Sequence, residues 1–388
     1  MKQQVKQHFN RSFGHRPAVI ARAPGRLEIL GNHTDYNEGV VLSVAVDRAT
    51  YVAAGPSGDD TCRVINMLNG ETAAFSFSDL SNPVPSDWSN YVKGLLVEFR
   101  KRGIEVPPFE AVETSTVPMA AGMSSSAALE MSFALALVEL ADADMSWQEL
   151  ARIGQACENE YVGANTGLLD QFSSLQGRAG SLVLSDFRTF EVNRVPLPSQ
   201  TALVVADSKV THNLAGEYNE RRQRCEEAAK IAAKAYPGIT SLRDVTRQKL
   251  EGVRGDMNPV TYRRALHIVG ENDRVQAGVR ALEHGDLATF GQLMLESHES
   301  SRMNFENSCP QLDSLVEIGR SLPGAIGARL SGGGFGGITV HLVQEWEAEK
   351  YGKALAGAYE TRTGKRPDIF ICHAADGAEI IASEKKNA

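Results

Sequence analysis

Two segments of this 388-residue chain place reactive side chains at spacings suited to chemistry. From Ala23 to Leu42, APGRLEILGNHTDYNEGVVL brings Arg26, Glu28, Asn32, His33, Thr34 and Asp35 into one strand-to-turn passage. Such a passage can display several hydrogen-bonding side chains toward one polyhydroxyl ligand. From Gly122 to Met131, GMSSSAALEM sets Gly122, Met123, Ser124, Ser125 and Ser126 ahead of a helix. A glycine loop that opens a helix presents unpaired N–H groups at the positive end of the helix dipole, where phosphate oxygens bind well. The serine hydroxyls can add donors and a metal ligand. No Lys follows the glycine, so this is not the GxxxxGK[ST] form, and a Ser N-cap on a buried helix would leave the same string. One segment suggests a sugar, the other a nucleotide.

Asp170, in NTGLLDQFSS beside Gly167, is a candidate catalytic carboxylate, and Glu158 stands twelve residues earlier on an expected helix. A carboxylate near a hydroxyl can accept its proton or orient it, while a second acid can hold Mg²⁺ against phosphates. A capping or solvated role is nonetheless the more frequent fate of a lone loop Asp. Arg26, inside an otherwise apolar strand, needs an anionic partner, which a structural acid supplies as readily as a phosphate. Ser331 to Gly337, SGGGFGG, removes side chains where backbone must approach something closely, or simply makes a tight turn. HTDYN on its own reads as turn residues. Without HExxH or CxxC spacing, the 9 His do not suggest a structural zinc site.

The elements that must position these groups follow from periodicity. Residues 18–24 and 40–54 read as strands on either side of the HTDYNEG turn. WSNYVKGLLVEFRKRG reads as an amphipathic helix stopped at Gly103, and Phe109 to Val117 alternates like a strand. Pro118 to Gly122 is a loop, and AALEMSFALALVELA after Ser125 is a helix of strong propensity. A second helix, SWQELARIGQACENEYVG, leads to the loop ANTGLLDQ and then to a strand pair, GSLVLSDF with TALVVADS. Glu217 to Tyr236 and Tyr262 to Leu287 read as long charged helices. The pattern changes at PLPS, Pro196 to Ser199, which suggests two domains, 1–195 and 196–388, as the length also favours.

Hydrophobic content of 42% with 23% charged residues describes an ordinary globular protein. The formal charge of -8 argues against a general nucleic-acid binder without forbidding a small anion such as ATP. Five scattered cysteines fit reduced thiols in a cytoplasm. No segment reaches the roughly 18 uninterrupted apolar residues of a membrane helix, and no signal-peptide run opens the chain. No membrane association and no obligate protein partner are expected.

Together and in this order, APGRLEILGNHTDYNEG, VPMAAGMSSSAALE and GARLSGGGFGG resemble the superfamily named for galactokinase, homoserine kinase, mevalonate kinase and phosphomevalonate kinase, and within it the galactokinases. WSNYVKG, ENEYVGANTGLLDQF, GEYNERRQRCEEA, ENDRV, FGQLMLESHESSR and SCPQLD have galactokinase counterparts too, so the match spans nearly the whole chain. The resemblance implies an α/β (α+β) GHMP kinase fold of two lobes with the active site in the interlobe cleft and a left-handed βαβ crossover in the first lobe. It implies a sugar 1-kinase using ATP and Mg²⁺, with galactose the first candidate. Asp170 would stand next to the anomeric hydroxyl, and Arg26 would orient it and offset phosphoryl charge. Ser126 with Glu158 would hold Mg²⁺. His33, Asp35, Gly167 and Tyr218 would contact the sugar, with Asn32, Thr34 and Glu28 on the same side. Gly122 to Ser126, Gly333 and Gly334 would face the phosphates, and Trp88 and Tyr91 would lie near the adenine.

Galactokinases usually read GRxNxxGEHTDY, whereas this chain has Glu28 for the Asn and Asn32 for the Glu. The second position accepts a hydrogen bond from the sugar's C6 hydroxyl in the family. An Asn there carries no charge, so a C6 carboxylate would be less repelled. That keeps open a kinase for galacturonate, L-arabinose or N-acetylgalactosamine. Ser43 stands where Pro is common, and the loop before Tyr218 is one residue short. A sugar sensor without transferase activity is the remaining alternative, opposed by the complete run from Ser124 to Ala128.

Overall fold

Small and β-branched residues build two long strands, β1 (Val19–Leu30) and β2 (Val40–Pro56), which pair antiparallel along most of their length. The computed structural model describes residues 1–118, 122–164, 166–210 and 215–384. Most of the loop before Tyr218 and part of the loop at Pro118 to Gly122 therefore lie outside the described residues. β3 (Cys62–Asn66), β4 (Thr72–Phe75), β5 (Phe109–Ser115), β6 (Ser181–Asp186) and β7 (Val192–Pro196) extend the first sheet. β8 (Thr201–Asp207), β9 (Ala325–Ser331), β10 (Ile338–Gln344) and β11 (Asp368–Cys372) form a second sheet in the order β11-β8-β10-β9. The last strand, β12 (Glu379–Ser383), returns to pair with β1, giving the first sheet the order β12-β1-β2-β5-β3-β4 with β6 and β7 branching from β2. Among the described strands only β3 and β5 pair in parallel.

GSLVLSDF and TALVVADS, expected as a strand pair, do not pair with each other. β6 and β8 lie in different sheets, and the hairpin partner of β6 is β7. β7 keeps only Val195 buried and exposes Asn193 and Arg194, so its sequence carries no alternation that could announce it.

Helices cover both sheets. α1 (Lys2–Phe13) buries Val5 and Phe9 against Ile20, Ala53 and Val112. α2 (Asn90–Lys101), α3 (Ser125–Leu140), α4 (Trp147–Ala156) and α5 (Leu169–Gln176) lie on the opposite face. α3 is apolar nearly all round, with Ala127, Ala128, Met131, Phe133, Ala134 and Leu137 fully buried, as a helix enclosed by a sheet and other helices must be. Met131, Phe133 and Leu137 each contribute about 1.5–3 kcal/mol of burial. α4 runs into a π-helical turn, Cys157–Val162, that carries Glu158 and ends at Gly163 with φ 88°.

α6 (Ala215–Ala235), α7 (Arg247–Gly252) and α8 (Pro259–Glu283) form a helical layer, and α9 (Leu287–Ser300) lies between α8 and β9. The helix read as ending at Leu287 ends at Glu283; Gly285 turns at φ 70° and the Asp286 side chain caps α9 by accepting from the Thr289 N–H. α10 (Pro310–Gly319) and α11 (Ala348–Thr363) pack on the second sheet. No helix of the described residues is long and apolar enough to cross a membrane.

Candidate active site

β1 aims Arg26 and Glu28 to one face, because side chains two apart in a strand share a side. Its register against β2 shifts on both sides of this pair, between Pro24 and Arg26 and between Glu28 and Leu30. Bulges of this kind re-aim side chains beside functional sites. The anionic partner that Arg26 requires is Asp170 on α5, whose Oδ1 accepts from Arg26 Nε at 2.6 Å. Arg26 Nη1 also donates to the Gly122 carbonyl at 2.8 Å, and its backbone N–H to the Met123 carbonyl at 3.0 Å. A Cβ on Gly25 would stand 2.7 Å from that Met123 oxygen, so Gly25 is what lets the serine loop lie on β1.

The second oxygen of Asp170 accepts the Ser124 hydroxyl. Ser124 occupies the N-cap position of α3 at φ 53°, and its side chain caps nothing. A non-glycine residue in this left-handed region is sparsely populated and persists where the surroundings demand it. The ordinary serine cap is therefore replaced by a bond to the carboxylate, and the first N–H groups of α3 receive no cap from Ser124.

Glu158, on the π turn, is buried, and its Oε2 accepts from Thr166 Oγ1 at 2.5 Å and Gln171 Nε2 at 3.3 Å. Ser126 stands beside the same carboxylate, whose pKa is pushed up by burial and then by the nearby Asp170 charge. Thus Ser126, Glu158 and Asp170 come together although separated in sequence. Among the described residues no three His, Cys, Asp or Glu side chains form a metal-holding group. Tyr91, in the first turn of α2, is near Glu158, and Trp88 precedes that helix and packs on the core beneath it. The Tyr91 carbonyl accepts from Cys157 Sγ at 3.2 Å, and burial with the Glu158 and Glu130 charges raises its phenol to about 12.

The Arg26–Asp170 pair lines a cavity of about 500 Å³. Arg26, Glu28, Asn32, His33 and Asp35 line it from the first segment, Gly167 and Asp170 from the α5 approach, and Tyr218 and Gly333 from the second half of the chain. Thr34 and Gly334 do not line it. The Thr34 hydroxyl ties the turn together through the Gly31 carbonyl at 2.8 Å and the Val40 carbonyl at 2.7 Å. Gly334 packs against the Asn307 backbone, where a Cβ would collide.

His33 Nε2 faces the Gly333 carbonyl at 3.1 Å and Nδ1 faces the Tyr36 hydroxyl at 3.0 Å, so the ring donates through Nε2 and accepts through Nδ1. Burial lowers its pKa to about 4, which leaves it neutral at neutral pH. Burial, then the Glu28 and Asp170 charges, raise the Asp35 carboxyl to about 7. A Cβ on Gly167 would strike the Asp35 carboxylate, so that glycine is set by close approach.

The supporting layer was not assigned roles from sequence. Glu271 of α8, fully buried, accepts the N–H groups of Gly31 at 2.8 Å and Asn32 at 2.9 Å, the Ser297 hydroxyl at 3.0 Å and Arg274 Nε at 2.6 Å. Arg329 of β9, also fully buried, donates to Glu28 at 2.9 Å. Thr166 and Asn219 join the cavity wall. The available signal was a charged residue set inside an apolar pattern, in ENDRV and in GARLS.

Comparison with known proteins completes the picture. The galactokinase galactose-binding signature matches residues 7–56, the GHMP kinases N terminal domain residues 90–178, and the GHMP kinases C terminal domain residues 279–360. A galactokinase of Roseiflexus sp. is 41% identical over 375 residues, covering 96% of each chain, and one of Haemophilus influenzae 38% over 388 residues, covering 98% of this chain. The chain belongs to the galactokinase family. The crystal structure of Lactococcus lactis galactokinase complexed with galactose superposes with a TM-score of 0.90 at 29% identity, over 96% of this chain. A mevalonate kinase structure, 18% identical with a TM-score of 0.64, shares the GHMP kinase fold. For a member of this family, Gly167→Ala is expected to raise the sugar KM roughly 10- to 100-fold by overpacking against Asp35, with the ATP KM within about threefold. Initial rates at varied sugar and varied ATP would check this, and an unchanged sugar KM would remove Gly167 from the sugar wall.

Proposed function

We propose that this protein transfers the γ-phosphoryl group of ATP to the anomeric hydroxyl of galactose. The observation that carries the reading is the junction of Arg26, Asp170 and Ser124, which joins the hydroxyl-binding cavity to the opening of α3 through a single carboxylate. The galactokinases of similar sequence and the galactose complex of the Lactococcus lactis enzyme support galactose as the sugar.

Asp170 orients the attacking hydroxyl and takes its proton, while Arg26 fixes that carboxylate and offsets charge on the transferred group. Phosphoryl transfer leaves little covalent work to a protein, so alignment and charge neutralisation lower the barrier. Ser126 and Glu158 fit Mg²⁺, which binds through one or two oxygen ligands and substrate phosphates and would neutralise phosphate charge there. Asp35 binds and orients a further hydroxyl, His33 forms the wall beside it with both ring nitrogens held by Gly333 and Tyr36, and the N–H groups at the start of α3 receive phosphate oxygens. The direct test is ADP release from ATP and Mg²⁺ on adding galactose. Stoichiometric, galactose-dependent release is expected, and none at any galactose concentration would overturn the reading.

A further inference from the structure

We propose that Glu28 supplies the carboxylate that accepts a sugar hydroxyl at the end of the cavity away from the phosphate loop, with Asn32 serving as its scaffold. This rests on the sugar-kinase reading and specifies one contact within it.

The Asn32 side chain has nothing left to offer a ligand. Its Nδ2 donates to Glu28 Oε1 at 2.9 Å and to the Gly332 carbonyl at 2.9 Å. Its Oδ1 accepts from Asn307 Nδ2 at 2.9 Å and from Ser301 Oγ at 3.4 Å. An amide has two donor hydrogens and two acceptor lone pairs, so all are engaged inside the protein, and the residue is fully buried. A sugar contact through Asn32 would break one of these bonds.

Glu28 is complementary. Its Oε1 takes both the Asn32 amide and Arg329 Nη1, whereas its Oε2 has no hydrogen-bond partner among the described residues and the side chain stands on the cavity wall. A carboxylate accepts at about four sites, so half of its capacity faces the ligand space. Arg329 makes its one ion pair among the described residues with Glu28, and its Nε and Nη2 are buried without partners. A negative charge is therefore required beside Arg329, and the exchange of Asn and Glu between positions 28 and 32 moves that charge from the turn to the strand without removing it.

Placement follows from the strand. Glu28 lies two residues from Arg26 on the same face, roughly 7 Å along β1, a spacing comparable to a pyranose ring. With Asp170 held by Arg26 at the reacting end, Glu28 meets a hydroxyl remote from the one phosphorylated. Asp35 borders the same cavity, so a substrate carboxylate there would face the Glu28 carboxylate and a second carboxyl that is partly ionised at neutral pH. The recognised class is a neutral hexose with a free remote hydroxyl, not a uronic acid.

The experiment is calorimetric titration of the full chain with galactose, its monodeoxy analogues and galacturonate, which needs no turnover, alongside thermal melting. Wild type is expected to lose affinity for one remote deoxy analogue and to bind galacturonate weakly. Glu28→Gln should weaken galactose roughly 10-fold and shrink that deoxy penalty by a similar factor, because a charge-assisted bond becomes a neutral one. Asn32→Glu, which sets two carboxylates together, should lower Tm, and Glu28→Asn with Asn32→Glu should restore it by returning one carboxylate to Arg329. A deoxy penalty unchanged in Glu28→Gln, or a double variant no more stable than Asn32→Glu, would overturn the assignment. Absence of ADP release by a wild type that binds sugar would instead overturn the kinase reading alone.

Discussion

Asp170→Asn is expected to lower kcat by about 10²–10⁴-fold while the ATP KM stays within about threefold. The substitution is nearly isosteric, and an amide oxygen can still accept from Arg26 Nε where Asp170 Oδ1 does now. The amide nitrogen then meets the Ser124 hydroxyl, which must turn to accept instead of donate. What is lost is the charge and the basic oxygen that we propose stands beside the attacking hydroxyl. Ser126, Glu158 and the start of α3 keep their places, so the phosphate side should bind ATP as before. Steady-state kinetics at saturating galactose check the split, and near wild-type turnover would exclude Asp170 from the reaction.

Much of this site was legible before any coordinates, for a physical reason. Arg26 in an apolar strand required an anionic partner, which Asp170 supplies; the glycine–serine run read equally as a phosphate loop or a Ser N-cap, and Ser124 bonds Asp170 instead of capping α3. The long strands and helices were legible because periodicity over ten or more residues outweighs local noise. β7 was not, because a half-exposed edge strand has no period to read. The meaning of Glu28 and Asn32 was also hidden. Taken one position at a time, Asn32 looked like a lost carboxylate at the sugar, yet in three dimensions the two side chains bond each other and the carboxylate persists at position 28. Pairing of this kind depends on the turn geometry, which sequence spacing does not specify. The long-range partners Glu271 and Arg329 lie hundreds of residues from the turn they hold, so only the fold reveals them.

Glu271→Ala should cost about 3–5 kcal/mol of stability, the usual penalty for removing one member of a buried ion pair. Arg274 would lose its carboxylate, and the N–H groups of Gly31 and Asn32 and the Ser297 hydroxyl would lose their common acceptor. Since Gly31 and Asn32 begin the turn that carries His33 and Asp35, galactose affinity should fall as well. The pH dependence has a definite sign. Burial alone would raise the Glu271 carboxyl, but Arg274, His267, Arg329 and the Asn32 N–H together hold it well below its ordinary 4.5. A folded-state pKa below the unfolded one means that the carboxylate's contribution is present above about 4.5 and is lost as pH falls through that window toward the depressed value. Wild type should therefore lose stability below pH 4.5 more steeply than Glu271→Gln, which has no proton to take up there. Burial lowers His267 to about 3 while the Glu271 charge raises it in part, so both urea-unfolding profiles are compared in a His267→Gln background, which isolates Glu271. Parallel profiles from pH 6 to pH 3 would show that this carboxylate is not the anchor of the turn that begins at Gly31 and Asn32.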